Sequence, residues 1–139
     1  MARTQASEDL GKLVLRVVLG VLILLHGIFK MTHPQAFGFI TKMVEQAGLP
    51  GAFAYLVYVG EIVAPVLLII GLWSRVGALI VALNMLFALG LVHKNQFGML
   101  NENGGWQLEL QAMYLAAAIV VALIGAGRYS LGGPNGPLN

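Results

Sequence analysis

The sequence contains four long, largely apolar stretches, at residues 10–30, 52–73, 76–93 and 106–125. A hydrocarbon core about 30 Å thick takes about 20 helical residues to cross, so each stretch is long enough for one transmembrane helix. Only 10% of the 139 residues are charged, against roughly 25% in an ordinary soluble domain. The sequence therefore predicts an all-α integral membrane protein, built as an antiparallel bundle of four transmembrane helices.

The connections between these stretches are more polar, and the first of them has helical character. Pro34 stands where a first helical residue belongs and Gly48 stands just past the end, the positions that these residue types favour. Apolar side chains recur on one face between them, which predicts a short interfacial helix between spans one and two; an ordered loop is the alternative. Residues 132–139 are rich in glycine and proline, so a disordered tail is expected after a single domain of residues 1–131.

Lysine and arginine residues near the span ends indicate the orientation of the bundle. Four lie on one side and three on the other, namely Arg3, Lys12, Arg75 and Arg128 against Lys30, Lys42 and Lys94. Because cytoplasmic loops collect positive charge, this bias predicts that both termini are cytoplasmic. The expected location is the inner (plasma) membrane of the cell, crossed several times.

The composition also excludes several kinds of chemistry. There is no cysteine, which excludes disulfides, thiolate nucleophiles, iron–sulfur ligation and thioether attachment of haem. The formal charge of +2 is small and scattered, so no nucleic-acid partner is expected. No metal site is expected either.

Five ionisable residues fall inside the predicted spans: Arg16, His26, Glu61, His93 and Glu109. A charge at the bilayer centre costs on the order of 2.5–3.5 kcal/mol on insertion scales, so such side chains normally face the bundle and pair. With a helical rise of about 1.5 Å per residue, the two histidines and two glutamates lie within about 9 Å along the bilayer normal, each on a different span. His26, Glu61, His93 and Glu109 are therefore predicted to line one cavity, where they would bind a ligand or transfer protons.

Arg16 lies on the cytoplasmic side of this group. It is predicted to be the ion-pair partner of Glu61, across a gap of about 10 Å that a water or a helix tilt would close. Pro65 cannot donate to the carbonyl of Glu61, so the second span should bend and leave a free acceptor in a polar pocket. Asn84 is expected to make an interhelical hydrogen bond, and Lys30 is expected to extend toward the interface. The alternative is a buried polar network that only fixes the helix register.

Short motifs are spread over nearly the whole chain: LRVVLG at 15–20, HGIFK at 26–30, GLP at 48–50, Glu61, GLWSR at 71–75, His93, Glu109 and GAGRYSL at 125–131. Together they resemble the DoxX family of small bacterial and archaeal membrane proteins. Two positions depart from the pattern, since Pro65 stands in a stretch usually rich in small residues and Ala126 replaces a common proline. The resemblance implies a four-helix membrane protein. Some relatives are subunits of a thiosulfate–quinone oxidoreductase, and others are linked to membrane oxidoreductase complexes that handle thiol and oxidative stress.

The function that these features favour is that of a membrane subunit of a redox system. It would bind a quinone or similar lipophilic small molecule without a covalent bond, and His26, Glu61, His93 and Glu109 would hydrogen-bond or protonate the carbonyl oxygens. A protein partner must supply the electrons, so the chain is at most a non-electron-carrying subunit of a quinone-linked oxidoreductase. The alternatives are a small carrier or proton pathway, which would have to form a homo-oligomer, and a membrane scaffold for an oxidoreductase complex.

Overall fold

The structure, a computed structural model, describes residues 2–139, with side chains from residue 4 onward. Its longest helix is α1, Ala2–Thr32, which is followed by the shorter α2, Pro34–Gln46. A continuous helical segment then runs over residues 51–70 and changes its winding three times: a 3₁₀ turn (Gly51–Tyr55), α3 (Leu56–Tyr58), a π turn (Val59–Val63) and α4 (Ala64–Ile70). The remaining elements are α5 (Ser74–Phe87), a π turn that extends it (Ala88–Val92) and α6 (Glu109–Ile124).

The helical, membrane-spanning character predicted from the sequence is confirmed. Three helices in the described part of the chain are long and apolar enough to cross a bilayer: Thr4–Thr32, Gly51–Ile70 and Ser74–Val92. The fourth predicted span is shorter, because its helix begins at Glu109 and contains 16 residues. Over residues 2–139 the β-pairing is limited to one isolated bridge between Leu100 and Trp106.

The short helix predicted between the first two long stretches is present as α2. Pro34 is its first residue, where the missing N–H of proline costs nothing and its fixed φ suits a helix. The chain leaves the helix through Gly48, whose φ of +80° is in the left-handed region that glycine adopts without strain. The ordered-loop alternative is therefore wrong for this segment.

The helices approach one another closely where a glycine faces a neighbouring backbone. A Cβ atom at Gly20 would lie 2.9 Å from the carbonyl oxygen of Pro65, and one at Gly77 would lie 3.0 Å from that of Ala64. Small residues at such crossings let membrane helices pack backbone against backbone. Around these crossings lies an apolar core drawn from α1, α4, α5 and α6, which includes Leu19, Ile23, Leu68, Ala78, Val81 and Val121.

The segment 132–139 differs from the disordered tail expected from its composition. The structure places it against the start of α5, where the Asn139 side chain is buried and its Oδ1 accepts a hydrogen bond from the Ser74 N–H at 3.2 Å. The Leu138 carbonyl accepts one from the Arg75 N–H at 3.1 Å. The first N–H groups of a helix have no partner within it, and the tail satisfies two of them. That requirement is not visible in a glycine- and proline-rich composition.

Candidate functional site

A cavity of about 660 Å³ lies between α1, α2, the 51–70 segment, α5 with its π turn, and α6. Its walls are mostly apolar. Seven polar side chains interrupt them: His26, Lys30, Glu61, Asn84, His93, Gln111 and Tyr114. A concave, mainly apolar space with a few converging polar groups is the usual form of a small-molecule site.

Glu61 is held in this cavity through both of its carboxylate oxygens. Oε2 pairs with the Lys30 ammonium at 2.5 Å, and Oε1 accepts a hydrogen bond from Asn84 Nδ2 at 3.4 Å. Asn84 can come this close because its partner helix has Gly60 there, where a Cβ atom would lie 2.6 Å from the Asn84 Cγ. The interhelical hydrogen bond expected of Asn84 is thus present, with Glu61 as the acceptor.

The predicted ion pair between Arg16 and Glu61 is wrong. Arg16 is 1% exposed, and its guanidinium donates to the carbonyls of Leu68 at 2.6 Å and Ile69 at 2.7 Å. It also donates to those of Ala126 at 3.3 Å and Tyr129. The last carbonyls of a helix lack donors and form the negative end of its dipole, so the end of α4 and the closing segment satisfy Arg16 without a carboxylate.

The partner of Glu61 is instead Lys30, which was predicted to extend toward the interface. Lys30 lies one helical turn beyond His26 on α1, and its ammonium turns inward to Glu61. The reason is energetic: a carboxylate in a low-dielectric cavity attracts a cation strongly, whereas the interface offers Lys30 only solvation.

The two predicted histidines lie on different walls of the cavity. His26 packs edge-on against the ring of Tyr114, with the centroids 6.0 Å apart and the planes at 77°. His93 Nδ1 lies 2.9 Å from Gln96 Oε1, and its Nε2 lies 3.3 Å from Gln111 Nε2. Because the Gln96 oxygen can only accept and the Gln111 amide nitrogen can only donate, we assign the ring proton of His93 to Nδ1.

Glu109, the fourth predicted member, lies apart from the cavity. It is exposed, and its Oε1 accepts a hydrogen bond at 3.4 Å from Asn101 Nδ2 in the preceding loop. Glu109 is the first residue of α6, and its side chain lies beside Gly105. Gln111, two residues along the helix, takes the inward position instead. The structure therefore brings together His26, Glu61 and His93 but not Glu109.

Both π turns adjoin the cavity. One contains Glu61, and the other ends next to His93, whose N–H bonds the Ala88 carbonyl at 3.1 Å. Such turns are frequent at functional sites. The Glu61 carbonyl, to which Pro65 cannot donate, lies against the buried Gly27 of α1, where a Cβ atom would collide with it. This carbonyl therefore lies at a close approach of two helices.

Four lining residues, Lys30, Asn84, Gln111 and Tyr114, were not among the predicted site residues. Helical spacing was the available signal for one of them, because Lys30 is four residues after His26. Side chains three or four apart lie on the same helix face. A polar residue at that spacing from a predicted site residue therefore points toward the same cavity.

The fold and the cavity define a small helical membrane protein with a mostly apolar cavity between its helices. The family model named DoxX matches residues 11–94, more than half of the chain, and the match includes His26, Glu61 and His93. The chain therefore belongs to the DoxX family.

Two curated relatives are similar over most of their length. The protein named "Putative oxidoreductase CatD" of Bacillus subtilis (strain 168) is 29% identical over 110 residues, which cover 79% of this chain and 80% of that protein. "Uncharacterized membrane protein Rv3486" of Mycobacterium tuberculosis (strain ATCC 25618 / H37Rv) is 32% identical over 126 residues, 84% of this chain and 76% of that protein. No solved structure matches the chain.

Proposed function

We propose that this protein is a membrane subunit of a redox system that binds a quinone or similar lipophilic small molecule in the cavity described above. The observation that supports this most is that His26, Glu61 and His93, from three separate helical segments, line one mostly apolar space. In the same proposal α6 is the fourth span of an antiparallel bundle in the inner membrane, with both termini cytoplasmic.

The polar groups of the cavity suit a ligand that has oxygen atoms on an apolar ring. His26 and Tyr114 form one polar wall, His93 with Gln111 forms another, and the Lys30–Glu61 pair forms a third. Lys30 can donate hydrogen bonds and Glu61 can accept them. The carbonyl oxygens of the oxidised ring and the hydroxyl groups of the reduced ring would therefore each have a hydrogen-bond partner. The apolar remainder of the cavity would hold the ring itself.

Proton transfer is the chemistry that these side chains can perform. The imidazole nitrogens of His26 and His93 can act as hydrogen-bond donors or acceptors, so they can exchange a proton with ring oxygens. Glu61 can accept a proton when Lys30 moves away from it. A bound quinone supplies the capacity for two electrons and two protons, and the electrons must come from a partner protein. This matches the name of the B. subtilis relative, which describes an oxidoreductase.

The scaffold alternative predicts a dry polar cluster with no cavity, and the 660 Å³ cavity counts against it. The carrier alternative predicts movement of the ligand across the membrane. Uptake by reconstituted vesicles that requires Glu61 would favour it over the redox subunit.

The test is binding of 2,3-dimethoxy-5-methyl-6-decyl-1,4-benzoquinone to the purified protein in nanodiscs, followed as a rise in the thermal unfolding midpoint. We expect the wild type to be stabilised as the mole fraction of quinone in the lipid increases. The double variant His26→Leu/His93→Leu should bind roughly tenfold more weakly, because two hydrogen bonds of about 0.5–1.5 kcal/mol each are lost.

His33→Leu is the matched control, because the third histidine is exposed and is not among the cavity-lining residues. It should behave like the wild type. An unchanged midpoint for the wild type at every quinone fraction would contradict the proposal, and so would equal shifts in all three proteins.

A further inference from the structure

Seven apolar side chains line the cavity and are also exposed on the outside of the bundle, among them Leu49, Phe53 and Leu110. The other four, which lie within about one helical turn of Gly60 or Asn84, are Leu56 (58% exposed), Val59 (39%), Leu83 (56%) and Phe87 (61%). A side chain that faces both a cavity and the exterior lies at an opening between the two. We call this set of four the lateral rim.

The rim lies between the 51–70 segment and α5, which pack against each other at Ala64 and Gly77 and, farther along, at a second contact. Gly60 packs against Asn84 there, and the Asn84–Glu61 hydrogen bond joins the same two segments. Leu56 is one turn before Gly60, and Phe87 is about one turn after Asn84. In the antiparallel arrangement proposed above, both lie beyond the contact on the same side.

On another side α2 covers part of the cavity, while the lining residues Leu49 (39% exposed) and Phe53 (50%) remain exposed beside it. Ile40, Met43 and Val44 of α2 line it from that direction, and Val44 is buried. A helix with its apolar face over the cavity obstructs a direct path from water. In a bilayer, the exposed leucine and phenylalanine side chains of the rim would face hydrocarbon, so a path past them leads into the lipid.

We propose that the cavity opens sideways into the bilayer through the lateral rim, and that it takes the head of a ligand whose hydrocarbon tail remains in the lipid. This inference rests on the proposed function and names the shape of its ligand, a polar ring bearing a single long tail. A space of about 660 Å³ is in the range that encloses a drug-sized molecule, and an isoprenoid tail of several units needs the additional room outside.

The expected change in binding free energy depends on where the tail lies before and after binding. A tail that lies in hydrocarbon before binding and after binding gains no transfer free energy. Affinities expressed per mole fraction in the lipid should therefore be similar with and without the tail, provided that the rim is open. Closing the rim should weaken binding of the tailed ligand and leave the affinity for the tail-less one nearly unchanged.

The experiment compares 2,3-dimethoxy-5-methyl-1,4-benzoquinone with its 6-decyl derivative, both titrated by mole fraction into nanodiscs that contain the full chain. Leu83→Trp narrows the rim. Leu79→Trp is the matched control, because Leu79 lies one turn earlier on α5 and is 55% exposed, but it is not among the lining residues. Thermal unfolding reports binding of each compound to each protein.

For the wild type and Leu79→Trp we expect the two compounds to bind within about threefold of each other. For Leu83→Trp we expect the decyl compound to weaken about tenfold or more while the tail-less one changes less than threefold, since a clash costs about 1–3 kcal/mol. Equal weakening of both compounds, or of neither, would overturn the lateral opening and leave the proposed function intact. Failure of the wild type to bind either compound would overturn the proposed function together with this inference.

Discussion

Replacing Arg16 with methionine is expected to lower the free energy of unfolding by roughly 3–5 kcal/mol. The guanidinium donates to four backbone carbonyls, two at the end of α4 and two in the segment 126–129. Methionine fills similar space but donates nothing, and it leaves these buried acceptors unpaired. Reversible unfolding of the purified protein in mixed detergent–SDS micelles, followed by circular dichroism, measures the loss.

Two further variants test whether the loss of stability is specific to the Arg16 guanidinium. Arg16→Lys should recover only a small part of the loss, because an ammonium is a single point and cannot span carbonyls from two segments. Lys12→Met removes a positive charge one turn earlier on α1 and should cost less than about 0.5 kcal/mol. Equal losses for Arg16→Met and Lys12→Met would contradict the proposed role of Arg16 in joining α4 to the closing segment.

The second large effect is expected at the Lys30–Glu61 pair. Glu61→Gln or Lys30→Gln alone leaves one charge uncompensated in the cavity, which costs roughly 3–5 kcal/mol. The double variant removes both charges and should cost less than the sum, with a coupling energy of roughly 0.5–3 kcal/mol. The four proteins of this cycle are compared by the same unfolding measurement.

A second cycle, Arg16→Met with Glu61→Gln, is the control. Its losses should add within about 0.3–0.5 kcal/mol, because the two residues share no hydrogen-bond partner. Strong coupling between Arg16 and Glu61, together with additivity for Lys30 and Glu61, would reverse our assignment of the ion pair.

Hydropathy and helical rise predicted much of this architecture. The long apolar stretches predicted the helices, and Pro34 and Gly48 predicted the bounds of α2 nearly to the residue. The structure places His26, Glu61 and His93 at one cavity, as their estimated depths along the bilayer normal suggested. Depth alone does not specify the direction in which a side chain points, however. A start of α6 at Glu109 places Gln111 inward and Glu109 toward the loop.

The partner of Arg16 was not predictable by the same reasoning, because backbone carbonyls are present at every residue and leave no mark in a sequence. A search for a carboxylate within reach led to Glu61, while the true acceptors depended on where α4 ends and where the segment 125–131 returns. The position of residues 132–139 against α5 was not predictable for the same reason. It depends on the N–H groups of Ser74 and Arg75, which are distant in the sequence.

Photolabelling shows directly whether the cavity binds a lipophilic, quinone-like molecule. An azido-substituted 1,4-benzoquinone with a decyl tail is irradiated with the protein in nanodiscs, and the labelled residues are mapped by mass spectrometry. We expect labels within residues 23–30, 53–61, 83–93 and 110–114, reduced by an excess of the unlabelled decyl benzoquinone. Labels spread over exposed apolar residues outside the cavity, such as Val14 and Leu123, and unaffected by the competitor, would contradict binding in the cavity.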